Sequence, residues 1–105
     1  MTIELPPPQL LELTGPDAVA FAQAQFCNDL RALDDGQWQW NAWLSAQGRV
    51  LAFFHLLRDD AEHLRLLLRG GSAEILRAAL ARYVFRAKVR LRVVDNARLL
   101  CSEDD

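Results

Sequence analysis

Side chains able to do chemistry are scattered through this chain, and none falls into a catalytic grouping. Acyl or phosphoryl transfer by protein side chains needs a nucleophile held beside a base, and no serine or cysteine here has an activating neighbour in sequence. Cys27 and Cys101 lie far apart with no metal-ligand spacing around them, so they read as two reduced thiols of a cytoplasmic protein. His55 lies inside the apolar run Val50 to Leu57, and His63 has no histidine or cysteine at ligand spacing; both read as structural. The pairs Asp34-Asp35 and Asp59-Asp60 read as turn carboxylates facing water. Gly70-Gly71 precedes a helix but lacks the lysine and further glycines of a phosphate loop. No catalytic residue and no metal ligand is therefore assigned.

Cations do cluster. The net charge is −2, yet residues 1–48 hold one basic residue against six acidic ones, while residues 49–105 hold eleven against eight. Arg82, Arg86, Lys88, Arg90 and Arg92 follow one another with no acid among them. From residue 86 the period is two, with Arg86, Lys88, Arg90 and Arg92 on one side and Ala87, Val89, Leu91 and Val93 on the other. That face reads either as an anion site for RNA phosphates or a polyanionic ligand tail, or as the solvated side of a half-buried strand. The second reading is favoured, because no aromatic interleaves the cations to stack a base, and nucleic acid is not the expected partner.

The elements that must position these groups follow from punctuation and period. Pro6-Pro7-Pro8 brings the chain in as an extended arm. Gln9 to Leu13 reads as a short strand. Thr14-Gly15-Pro16-Asp17 opens a helix whose apolar residues Ala18, Phe21, Ala22, Phe26, Leu30 and Leu33 carry it to Asn28 or a little beyond. Trp38, Trp40, Ala42 and Leu44 alternate with Gln37, Gln39, Asn41 and Trp43. This predicts a strand with the first set in the core and Trp43 on the polar side, facing a ligand or an adjoining domain. Gly48 permits a tight reversal, and Val50 to Arg58 returns as a strand that is apolar on both faces, hence central and covered on both sides. His63 to Arg69 continues the meander. Ser72 caps a second helix that buries Ile75, Leu76, Ala79, Leu80, Tyr83 and Val84, and the alternating segment from Arg86 closes the domain.

The order β-α-β-β-β-α-β predicts an α+β domain, a mainly antiparallel sheet with two helices on one face, related to the ferredoxin-like class. At 105 residues the chain has room for one core. Its longest apolar run is too short to span a bilayer, and its start lacks a secretory pattern, so a cytoplasmic protein with no membrane contact is expected. Arg98-Leu99-Leu100-Cys101 begins a further apolar run that Ser102-Glu103-Asp104-Asp105 stops. This reads as the cut edge of a longer protein, residues 1–105 being its N-terminal domain; the alternative is a frayed acidic tail.

Three segments in register resemble the first domain of the YgfZ/GcvT-type folate-binding family. They are Leu13-Thr14-Gly15-Pro16-Asp17-Ala18 with Phe21 to Leu30, then Leu44-Ser45-Ala46-Gln47-Gly48-Arg49-Val50-Leu51-Ala52, and Leu80 to Val89. The resemblance implies a GcvT-type first domain, with following domains of the same protein as partners and tetrahydrofolate as cofactor. In the aminomethyltransferase branch, acidic residues follow the glycine turn and one is catalytically important; this chain has Leu51 and Ala52 there. That departure points to the YgfZ branch, which is implicated in maintaining iron–sulfur cluster enzymes and in tRNA modification. Iron–sulfur client proteins are then further expected partners. The cysteine motif of that branch is matched by neither Cys27 nor Cys101.

A folate needs amide or carboxylate groups for its pterin edge, an apolar wall, and a cation for its glutamate tail. By the resemblance, Gln25, Asn28 and Asp29 at the helix end, with Gln47 and Arg49 at the turn, line one side of a shared site. The competing reading is that Asn28 and Asp29 only end the helix and Gln47 only turns the chain.

Overall fold

The computed structural model describes residues 9–69 and 71–94. The expected proline arm, Gly70, Cys101 and the apolar run from Arg98 lie outside the described residues. Seven elements follow in the expected order: β1 Gln9–Thr14, α1 Ala18–Gln25, β2 Trp38–Leu44, β3 Val50–Asp60, β4 His63–Leu68, α2 Ala73–Ala81 and β5 Arg90–Val94. The strands form one sheet in the order β2-β3-β4-β1-β5, and every neighbouring pair is antiparallel. β2, β3 and β4 are a meander of adjacent hairpins, and β1 slots between β4 and β5.

Alternation along each strand sends one set of side chains toward the helices. Leu11 and Leu13 of β1, Phe54 and Leu56 of β3, and Leu64 and Leu66 of β4 are fully buried on that side. They pack with Phe21 and Ala22 of α1 and Leu76 and Leu80 of α2. Each such Leu or Phe contributes about 1.5–3 kcal/mol on burial, so this layer dominates stability.

Two expected elements are shorter than their periodicity suggests. α1 stops at Gln25, because Phe26 turns extended and Cys27 N–H donates to Ala42 O at 3.1 Å. Leu30 and Leu33 still enter the core, from a loop rather than a helix face. The last strand begins at Arg90, not Arg86. Lys88 spends its backbone groups elsewhere: its N–H donates to Asp17 Oδ2 at 2.8 Å, and its carbonyl accepts from Asp17 N–H at 3.2 Å. Gly15 permits this approach, since a Cβ there would lie 2.2 Å from the Lys88 carbonyl oxygen. The four cations therefore do not share a strand face: Arg86 lies over the Phe85 ring and Arg92 pairs with Glu12.

The Ser72 cap forms, its Oγ accepting from Ile75 N–H at 3.3 Å. Ile75 and Tyr83, expected in the core, are exposed, because α2 buries Ala73, Leu76 and Leu80. No described helix is long and apolar enough to cross a membrane.

Candidate functional site

The hairpin between β2 and β3 is built by local hydrogen bonds. Ser45 N–H donates to Arg49 O at 2.8 Å, Gly48 N–H donates to Ser45 O at 2.9 Å, and Ser45 Oγ accepts from the N–H groups of Gln47 and Arg49. Gly48 sits at φ +84°, a conformation most side chains resist, so the turn depends on glycine there. Gln47 and Arg49 are both exposed at its tip.

Beside this hairpin lies an apolar cleft of about 380 Å³ between the strand ends and α2. Trp43, Leu51 and Ala52 form its sheet wall; Ile75, Leu76 and Ala79 form its helix wall. Trp43 meets Tyr83 edge to face at 6.1 Å. Ser72 is the one hydroxyl at the rim, and its Oγ is engaged as the α2 cap. The volume suits a single planar ring system, and among the described residues the walls offer apolar contact with no carboxylate. Leu51 and Ala52 face this cleft.

Asn28 and Asp29 are held elsewhere. Asn28 interlocks with Asn41 of β2: Asn28 N–H donates to Asn41 Oδ1 at 2.9 Å, and Asn41 Nδ2 donates back to Asn28 O at 3.2 Å. Asn28 Nδ2 also donates to Trp40 O at 2.7 Å. Asn41 is only 2% exposed, and Ala42 N–H and Gln39 Oε1 complete its bonding. Asp29 accepts from the Arg31 side chain and from its backbone N–H, and these bonds hold its carboxyl below the usual range. Gln39 Nε2 donates to Asp29 O, so this loop runs beside the middle of β2. At the rise of an extended strand, it is about 15–20 Å from the hairpin tip.

The structure thus divides the five expected residues. Asn28 and Asp29 latch a loop onto β2, with Gln25 ending α1 just before them; Gln47 and Arg49 stand at the cleft end of the hairpin. Asn41 was missed because its partner lies 13 residues away, and alternation alone puts it on the polar side. For the same reason the tryptophans were inverted. Trp43 faces the helices and the core, while Trp38 and Trp40 lie on the opposite, open face at 57% and 42% exposure.

That open face is half apolar and half ionic. Toward the β5 side, Arg65 clamps Asp59 through two bonds of 2.7 and 2.9 Å, and Glu12 joins His63 at 3.0 Å to Arg92 at 3.0 Å. This network ties four strands together. Toward β2, the Trp40 and Phe53 rings stack at 4.7 Å and 8° on one side of His55, with Trp38 edge-on to that imidazole at 4.7 Å. Burial first, and the Arg69 charge second, push the His55 pKa down. Among the described residues no group of His, Cys, Asp and Glu is placed to hold a metal ion.

Comparison with known proteins rests on fold. No family model matches this sequence. No curated protein matches it either. Among solved structures, it is similar to the glycine cleavage system aminomethyltransferase T from Bartonella henselae, with a TM-score of 0.77 at 23% sequence identity. The alignment covers 84% of this chain and 24% of that one, so the chain spans about a quarter of the neighbour's length. The α+β architecture of five antiparallel strands and two helices is thus that of a domain found in this aminomethyltransferase.

Proposed function

We propose that this domain belongs to a tetrahydrofolate-binding protein of the YgfZ type, an accessory to iron–sulfur cluster enzymes and tRNA modification rather than an aminomethyltransferase. The observation that carries this reading is the lining of the cleft by Leu51 and Ala52, with no carboxylate among the described residues of its walls. A folate ring placed there meets apolar surface but no acid to manage charge on a transferred group. Gln47 and Arg49, four and two residues before Leu51, supply an amide and a cation at the exposed hairpin tip. Asn28 and Asp29, engaged in the β2 latch, serve by shaping the sheet edge. The remaining walls come from other domains of a longer chain. Support comes from the domain-level likeness to a glycine cleavage aminomethyltransferase together with the three resembling segments.

Calorimetric titration of the full-length protein with tetrahydrofolate tests the reading. Binding that weakens on Arg49→Ala, with no glycine cleavage activity, is expected. Full glycine cleavage activity would instead support the second reading, aminomethyl transfer, which the fold of the structural neighbour favours.

A further inference from the structure

Register places one line of side chains straight across the open sheet face: Trp40 opposite His55, His55 opposite Leu67, Leu67 opposite Leu10, and Leu10 opposite Val94. No charge interrupts it. Its β2 end is the wet end. There Trp38, Trp40 and Phe53 are 57%, 42% and 46% exposed. Together they leave on the order of 300 Å² of aromatic surface in water, in the range of the largest apolar patch on a typical monomer, which is often functional. His55 Nε2 lies among these rings, buried and, among the described residues, without a hydrogen-bond partner. A native protein rarely leaves such an atom unmatched, and an incoming donor would satisfy it.

The ring geometry selects the kind of occupant. Trp40 and Phe53 sit diagonally on adjacent strands, Trp40 opposite His55 and Phe53 opposite Ala42, and their rings lean together to stack at 4.7 Å and 8°. The rings therefore stand on edge, and each covers a face of the other. A single-stranded nucleic acid needs open ring faces on which to lay its bases, and this arrangement withholds them. Upright rings instead form ridges, which suit interdigitation with an apolar protein surface.

Chain length selects among protein occupants. The structural neighbour carries about three quarters of its polypeptide outside the matched domain. Val94, where the described chain ends, is itself the last member of the line.

We propose that the Trp40–Val94 line is an interdomain seat, covered in cis by an apolar face of the polypeptide that follows this domain in a longer protein, with a backbone or side-chain donor meeting His55 Nε2. The proposal rests on the reading of the chain as one domain of a longer protein. Among the described residues its β2 end, at Trp38, Trp40 and Phe53, is exposed, whereas Leu10 is already buried.

Hydroxyl-radical footprinting of the full-length protein beside the 105-residue chain tests it. Labelling of Trp38, Trp40 and Phe53 is expected to fall about fivefold in the full-length protein, as side chains near half exposure become buried. Trp40→Lys in the full-length protein should restore labelling at Trp38 and Phe53; Phe53→Gln serves as a second, milder variant should the first misfold. Equal labelling in both proteins would overturn the proposal. So would protection that disappears on dilution, which would make the occupant a second copy, or a gene that ends at Asp105. Tetrahydrofolate titration of the same sample separates the two readings: protection without folate binding keeps the seat and removes the folate function, and binding without protection does the reverse.

Discussion

The two faces of β3 carry nearly the same composition and meet opposite fates. Phe54 and Leu56 point toward the helices and are fully buried, whereas Phe53 and His55, their immediate neighbours, point to the open side. Hydropathy therefore does not decide which face is the core. What decides it is which face the two helices can reach, and that is set by connections at Thr14–Asp17 and Ser72. The lesson is that an apolar run without strict alternation marks a strand whose second face is also reserved for contact, here one that no described element supplies.

The contrast can be broken most forcefully from the buried side. Phe54→Ala removes a ring packed edge to face on Phe26 at 4.8 Å and should cost about 3–5 kcal/mol in urea unfolding. Phe53→Ala, one residue away, should cost under about 1 kcal/mol in the same titration. Similar losses at both positions would mean the open face is part of the core.

A polar residue on each face sharpens the comparison. Asn41→Ala, on the helix side, leaves Asn28 N–H and O without their partner. It should destabilise by about 2 kcal/mol and speed amide exchange at Asn28. On the open side His55 has its pKa lowered from 6.5, so the unfolded chain binds the proton first as pH falls. Its contribution is complete above about pH 6.5 and is lost as pH drops from there toward the folded value. His55→Gln should flatten that part of the stability-against-pH curve relative to wild type. An unchanged slope would show that other groups set it. The smallest effect belongs to Trp40→Lys in the 105-residue chain, which should shift the melting temperature by only a degree or two.

Much of this was legible in the residues. The order of seven elements, the glycine turn at Gly48 and the Ser72 cap follow from period and punctuation, which are local. The orientation of β2 was not, because tryptophan predicts burial only when nothing better fills the space. Asn41 displaced it by bonding both the N–H and the carbonyl of Asn28, 13 residues away, a tertiary fact. The start of β5 was hidden for a similar reason: alternation from Arg86 is a sound strand pattern, but Asp17 had already taken the Lys88 backbone. Of the candidate site, the turn carrying Gln47 and Arg49 was visible, while the cleft required α2 to fold over Trp43.

The position of β1 has a consequence for how the chain is made. Of the described strands it is the first to leave the ribosome, yet its two neighbours are β4, some 50 residues later, and β5, some 80 residues later. The β2–β4 meander closes through local hairpins as it emerges, whereas β1 pays a large loop-closure cost and waits with its edges unpaired. Insertion of Gln9–Thr14 between β4 and β5 is therefore expected late in folding, and synthesis that stalls before Arg90 should leave an apolar strand with one edge open.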